Sequence, residues 1–132
     1  ILTVGIAVNS SKTPLFTLDE RKRIISKVTE HIPNIEIDVF DGLLAEYVNK
    51  HGFEAVVRGL RATTDFEYEI QMAQMNARLY TGGTETVFLM TDPRYSFISS
   101  SLIKEVVSYG GDVDGLLPDY ANEMIKTKVD NQ

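Results

Sequence analysis

The sequence predicts an α/β protein in which a parallel sheet carries helices on both faces. Three observations lead there. Short apolar runs alternate strictly with segments of helical periodicity. The spacing between successive runs is long enough for crossover helices, which are right-handed in such sheets. Polar and cationic clusters follow the apolar runs, where open α/β sheets bind ligands just outside the carboxyl ends of their strands.

The first run, Ile1-Leu2-Thr3-Val4-Gly5-Ile6-Ala7-Val8, reads as a buried strand ending in the polar loop 9–14. Thr17-Leu18-Asp19-Glu20 matches a capping box, with Thr17 as N-cap and Glu20 three residues on. The helix it opens carries Leu18, Ile24, Ile25 and Val28 on its apolar side and stops before Pro33. In residues 35–40, Ile35, Ile37 and Val39 alternate with Glu36 and Asp38, as in a strand near a sheet edge. Asp41 is placed to cap a short helix over 43–51, and Gly52 is a natural stop.

Ala55-Val56-Val57 has no polar alternation and reads as a strand buried on both faces. It runs into Arg58-Gly59-Leu60-Arg61. A helix over 65–80 follows, with Phe66, Ile70, Ala73 and Ala77 at helical spacing, and ends near Gly82-Gly83. Residues 86–90 form a fourth buried strand. Loop 91–97 leads to Ser99-Ser100-Ser101 and a helix over 102–109, closed by Gly110-Gly111. A last amphipathic helix covers 120–128 after Pro118. No repeat or low-complexity linker interrupts the pattern, so 1–132 reads as one domain.

Composition narrows the function. A chain of 132 residues is enough for one sizeable core, and its 43% hydrophobic and 24% charged residues are ordinary for a globular protein. A net charge of −6 speaks against a nucleic-acid surface, which needs a basic face. A few fixed cations in a cleft can still hold a small anion. With no cysteine there is neither a disulfide framework nor a thiolate metal site. No apolar run approaches the roughly 20 residues that span a bilayer, no leader is visible, and the expected setting is the cytoplasm. The chain starts directly in an apolar strand with no initiator Met, which suggests an earlier segment.

The candidate anion clamp is Arg58 and Arg61. A guanidinium presents a planar fork that matches phosphate oxygens at two points, and Gly59 permits a turn or close approach between the two arginines. The plain alternative is a solvated turn. Ser99, Ser100 and Ser101 open a helix just beyond a strand, where free N–H groups and the positive dipole end hold phosphates. One serine there would be expected as an N-cap in any case. Lys12 follows the first strand on the same sheet edge, although a loop lysine is usually only solvated. Glu67 and Glu69 fall in the first turn after the arginines, where carboxylates suit the helix dipole. His31 and His51, the only histidines, sit near helix C-termini without metal-ligand spacing. No activated nucleophile is apparent. Phosphoryl-type chemistry, driven by positioning and charge, needs none.

The motifs Ser11-Lys12-Thr13-Pro14-Leu15-Phe16-Thr17-Leu18, Arg58-Gly59-Leu60-Arg61 with Asp65-Phe66-Glu67-Tyr68-Glu69, Met75-Asn76, Tyr95-Ser96-Phe97-Ile98-Ser99-Ser100-Ser101, Lys104-Glu105 and Gly111-Asp112-Val113 occur in this order. Together they closely resemble the bacterial phosphopantetheine adenylyltransferases of the nucleotidylyltransferase superfamily, over essentially the whole chain. The resemblance implies a Rossmann-like fold and transfer of AMP from ATP to 4′-phosphopantetheine, giving dephospho-coenzyme A and pyrophosphate, with Mg²⁺. It implies that Lys12, Leu44 and Arg58 bind phosphopantetheine. It places Gly59, Leu60, Arg61 and Glu69 on the ATP side, with Tyr95, Ser96, Phe97, Ile98, Ser99, Ser100 and Ser101 along the adenine and outer phosphates. Homohexamers and feedback inhibition by coenzyme A are further family expectations.

The family's glycine-rich turn and His-x-Gly-His-type signature precede the first residue of this chain. Neither His31 nor His51 matches the family's catalytic histidine, so no catalytic residue is assigned within 1–132, and no metal ligand either. In the family's strand order, 3-2-1-4-5, the central strand is the one not in this chain. The expectation is therefore about 30 further N-terminal residues, one βα unit, and a 132-residue chain that is poorly folded and catalytically crippled alone. Two other readings stay open: another nucleotidyltransferase of the superfamily, and a non-catalytic nucleotide- or coenzyme-A-binding module.

Overall fold

The computed structural model describes residues 1–132 apart from Ser10 and Lys12. Strands and helices alternate as β1 (Leu2–Val8), α1 (Leu18–Val28), β2 (Ile35–Asp41), α2 (Leu44–His51), β3 (Ala55–Leu60), α3 (Thr63–Leu79) and β4 (Glu85–Met90). A 3₁₀ turn (Pro93–Tyr95) and two helices, α4 (Ser100–Ser108) and α5 (Asp119–Asp130), complete the chain. The α/β class and the parallel strands agree with the sequence. The 3₁₀ turn was not expected: Pro93 at its start and the Asp92 carboxylate, which accepts from Arg94 N–H at 2.9 Å, fold part of the predicted loop.

The strands form two parallel pairs. Leu2 is opposite Ile35 and Val8 opposite Asp41 in the first pair, while Ala55 is opposite Glu85 and Leu60 opposite Met90 in the second. These are the 2–3 and 4–5 neighbours of the strand order expected from the family resemblance. The described residues divide into two compact units, one of Ile1–Asp41 with Ile98–Gln132 and one of Gly42–Phe97. The first unit is discontinuous in sequence, so the division does not fall at a linker between successive segments.

In the first unit, Ile103 and Val107 of α4, Ile125 of α5 and Val113 form the buried core, with Leu15, Phe16 and Ile98 packed against it. The capping box at α1 is complete: Glu20 N–H donates to Thr17 Oγ1 at 3.2 Å, and Thr17 N–H donates to Glu20 Oε2 at 2.8 Å. The same Glu20 carboxylate accepts from Lys128 Nζ of α5 at 2.8 Å, tying the two helices together. Helix α4 ends in a Schellman motif. Gly110 N–H donates to Val107 and Gly111 N–H to Val106 (2.9 and 2.8 Å), with Gly110 at φ +75°.

In the second unit, Gly52 stops α2 in the left-handed region at φ +67°, as the sequence indicated. The N-cap position of α2 falls to Leu43 and not to Asp41, because β2 runs on through Asp41. Helix α3 packs on β3 and α2. Its C-terminal end is held by one side chain: Asn49 Nδ2 donates to the Leu79 carbonyl at 2.8 Å, and Asn49 Oδ1 accepts from Thr81 N–H at 2.9 Å.

Burial departs from the expectation of fully buried strands. Val57 is 50% exposed and Leu89 58%, and in β1 only Ile6 is buried. Val57 and Val87 are opposite each other in the second ladder, as are Gly59 and Leu89. This face is open, whereas Leu60, of the other parity along β3, is buried. An apolar run without alternation specifies a strand, but what covers each face depends on its neighbours.

Candidate functional site

The candidate clamp lies on the end of β3 and the first two turns of α3, both within the second unit. The strand continues through Gly59 to Leu60, so Gly59 is extended and ladder-paired with Leu89, not a turn. A Cβ added at Gly59 would meet nothing within 4 Å, so this unit leaves space over that position. Leu60 is 4% exposed and points into the core, leaving only its backbone to face a ligand, and its carbonyl accepts from Thr91 N–H at 2.9 Å.

Helix α3 begins at Thr63, two residues before the predicted start. That shift changes the roles of its acids. Asp65, not Glu67 or Glu69, occupies the first turn, and its carboxylate turns back onto Arg61. Arg61 Nε donates to Asp65 Oδ2 at 2.8 Å, Nη2 to Oδ1 at 3.2 Å, and the Arg61 N–H to Oδ2 at 3.3 Å. These hydrogen bonds hold the Asp65 carboxyl below its ordinary range and raise Arg61.

Glu69, one turn on from Asp65, reaches Arg58. Arg58 Nε donates to Glu69 Oε2 at 2.8 Å and Nη2 donates to Oε1 at 2.6 Å. The pair is a two-point, charge-assisted contact. Its members differ in exposure: the Glu69 side chain is 13% accessible, that of Arg58 45%. The hydrogen bonds to Glu69 raise the Arg58 pKa, against the opposing effect of partial burial. Arg58 is therefore a fixed cation on a strand end, backed by a carboxylate withdrawn from water.

The other sequence-predicted residues fall in several places. Leu44 opens α2, half-buried. Tyr95 ends the 3₁₀ turn with the Arg94 guanidinium 5.4 Å above its ring. Ser96 Oγ donates to the Pro93 carbonyl at 3.1 Å, and Phe97 is exposed. Ile98 packs against the core of the first unit. Ser99 is the N-cap of α4, its Oγ accepting from Leu102 N–H at 3.1 Å, which is the plain role any N-cap serine has. Ser100 and Ser101 are the exposed first residues of that helix, among its free N–H donors. Lys12 lies outside the described residues.

The structure thus brings Arg58, Arg61, Asp65 and Glu69 together. Asp65 was missed as a partner, although its i, i+4 spacing from Arg61 was visible in the sequence. His51 has other contacts: its Nδ1 is 2.9 Å from the Tyr47 carbonyl, and its ring stacks on Phe53 at 5.4 Å. A hollow of about 410 Å³ lies in the first unit, lined by Leu15, Lys104, Ser108, Tyr109 and Val129 among others, and contains none of the expected site residues. Among the described residues no group of three or more His, Asp or Glu could hold a metal ion. The two carboxylates beside the clamp are engaged by guanidinium groups. These residues do not form a magnesium cage of their own. No helix among the described residues is long and apolar enough to cross a membrane.

The cytidylyltransferase-like family matches residues 1–106 of the chain. The phosphopantetheine adenylyltransferase of Caldanaerobacter subterraneus subsp. tengcongensis is 46% identical over 127 residues, covering 96% of this chain and 79% of that protein.

Proposed function

Because the chain belongs to the cytidylyltransferase-like family and is a relative of the phosphopantetheine adenylyltransferases, we propose that it transfers the adenylyl group of ATP to 4′-phosphopantetheine. The products are dephospho-coenzyme A and pyrophosphate, a step of coenzyme A biosynthesis. The observation that carries this reading is the 46% identity spread over 96% of the chain. The arginine clamp at the end of β3 supports it.

In the reaction a phosphate oxygen of phosphopantetheine attacks the α-phosphorus of ATP. The bond from that phosphorus to the α,β-bridging oxygen breaks, and pyrophosphate leaves with the electron pair. Two anions must approach each other, so fixed cations that offset their repulsion lower the barrier. Alignment of the reacting groups contributes further, up to roughly 7–11 kcal/mol in well-oriented systems. Arg58 holds the phosphate of phosphopantetheine together with Lys12, and Leu44 contacts the pantetheine arm. Arg61, Glu69 and the backbone at Gly59 and Leu60 serve the ATP side, along with Tyr95, Ser96, Phe97, Ile98 and the α4 start at Ser99, Ser100 and Ser101. Mg²⁺ enters with the polyphosphate of the nucleotide, whose oxygens and water commonly supply most magnesium ligands.

The setting we propose is cytoplasmic, and the assembly a homohexamer. Tyr68, Met72, Met75 and Leu79 recur every three or four residues along α3 and are all exposed, an apolar stripe that supports self-association. Coenzyme A, which carries the product's pantetheine arm, is proposed as a feedback inhibitor.

The test is pyrophosphate release by the full-length protein with 4′-phosphopantetheine and either ATP or CTP, alongside calorimetric binding of each compound. Release with ATP alone is expected. Release with CTP in its place would move the chain to another transferase of the family. Binding of both substrates without release would make it a non-catalytic binding module, and binding of neither would overturn the reading.

A further inference from the structure

We propose that Arg94 is a positioning residue for Tyr95: held by Asp92, its guanidinium lies over one face of the phenol ring and leaves the other to the adenine of ATP. The inference rests on the ATP-side reading given above for Tyr95.

The placement follows from the sheet. Leu60 and Met90 are opposite each other at the ends of β3 and β4, and Thr91 N–H donates to the Leu60 carbonyl at 2.9 Å. Residues 91–95 therefore begin just beyond the carboxyl ends of two parallel strands, where open α/β sheets take their ligands. Arg61 follows β3 at the same edge. Pro93 and the Asp92 cap fold this segment into its 3₁₀ turn, and the turn brings back a side chain that would otherwise trail into water. Arg94 Nε donates to Asp92 Oδ2 at 3.1 Å and Nη2 to the same oxygen at 2.7 Å, while the guanidinium carbon stands 5.4 Å from the centre of the Tyr95 ring.

The exposures decide what the pair is for. The Arg94 side chain is 76% accessible and that of Asp92 42%, and an ion pair so open to water contributes little to stability. Its geometry is nonetheless defined, by a carboxylate on one side and a ring on the other. A guanidinium is planar and weakly hydrated, so it stacks on an aromatic face. A base needs only one face of a ring to stack on, and Tyr95 keeps 39% of its surface exposed with the cation in place. Cation and base can therefore share the ring. The ring is held in one orientation before the nucleotide arrives, which reduces the ordering cost of binding. Because the Asp92 carboxylate offsets the Arg94 charge, the pair favours recognition of the neutral base over simple attraction of the polyphosphate.

The experiment is calorimetric titration of ATP, inorganic tripolyphosphate and 4′-phosphopantetheine into the full-length wild type, Arg94→Ala, Arg94→Lys, Tyr95→Ala and the Arg94→Ala, Tyr95→Ala double variant. Tripolyphosphate carries the phosphate charge without a base, so the ratio of ATP to tripolyphosphate affinity reads what the nucleoside adds. We expect Arg94→Ala to lower that ratio about threefold, the size of an exposed cation–π contact, and to leave phosphopantetheine binding and the denaturation midpoint nearly unchanged. Arg94→Lys keeps the charge without the planar fork and should recover only part of the ratio. In the Tyr95→Ala background the Arg94 substitution should have no further effect on the ratio, because Arg94 acts through the ring. Equal losses for ATP and tripolyphosphate would instead make Arg94 a direct phosphate contact and overturn the proposal. Tighter ATP binding in Arg94→Ala would do so too, by making the guanidinium a cover that the base must displace. Additive losses in the double variant would also reject it, as would an unchanged ratio in Tyr95→Ala. Failure of the wild type to bind ATP would remove the underlying functional reading, whereas wild-type ATP binding with an unaltered ratio in Arg94→Ala would remove this inference alone.

Discussion

Arg58 and Glu69, eleven residues apart, join the end of a strand to the second turn of the following helix through a two-point ion pair of 2.8 and 2.6 Å. The geometry depends on the planar fork of arginine, since an ammonium offers charge without two parallel donors. That difference, and three other contacts, lead to measurable outcomes.

Arg58→Lys keeps the charge and removes the fork. A charge-assisted hydrogen bond contributes about 1.5–3 kcal/mol, which corresponds to roughly a tenfold or larger rise in KM for 4′-phosphopantetheine. The KM for ATP should change much less. Steady-state kinetics with each substrate varied in turn checks this, and parallel losses for both substrates would contradict the assignment of Arg58 to one of them.

Glu20 links the α1 capping box to Lys128 of α5. The Lys128 hydrogen bond, followed by that from the Thr17 N–H, holds the Glu20 carboxyl below the ordinary glutamate value of 4.5. A lowered folded-state pKa stabilises the protein above the unfolded value and loses that effect as pH falls through the folded value. Glu20→Gln keeps an acceptor for the capping box and removes the charge. The difference in urea midpoint between wild type and Glu20→Gln should therefore stay constant from neutral pH down to about 4.5, then shrink on further acidification. A gap that widens in acid would refute this linkage.

Gly111→Ala tests the close of α4. A Cβ at Gly111 would lie 2.5 Å from Val106 Cγ1 and 3.0 Å from the Val106 carbonyl oxygen. The β-branched side chain is stiff and the carbonyl is fixed by the Schellman motif, so neither yields easily. Overpacking of this kind costs about 1–3 kcal/mol, read as a lower denaturation midpoint. Gly82→Ala, where the added atom meets nothing within 4 Å, serves as the control and should be close to neutral.

Asn49 holds the end of α3 through two hydrogen bonds from one amide. Asn49→Ala should cost about 1–2 kcal/mol, the sum of two ordinary contributions, and hydrogen exchange should quicken at the Thr81 amide first. Unchanged protection of Thr81 would show that the amide does not tether this segment.

What the sequence determined by itself was whatever closes within a few residues. The order of strands and helices, the Thr17–Glu20 box, the Gly52 stop and a serine cap somewhere in Ser99-Ser100-Ser101 were all legible, though not that the cap is Ser99, because backbone geometry brings positions three to five apart into contact whatever lies beyond them. The placement of the two arginines at the end of a strand was legible for the same reason. What lay beyond sequence was every relation set by packing. Val57 and Leu89 belong to apolar runs yet are half-exposed or more, since burial depends on which element covers a face and not on the run itself. Leu60, grouped with the clamp by adjacency, turns into the core because strand side chains alternate. A two-residue shift in the start of α3 made Asp65, not Glu69, the acid of its first turn, and the path of that helix then carried Glu69 back to Arg58. Tertiary structure decided the partner of Arg58, because an eleven-residue separation fixes no distance until strand and helix are packed together.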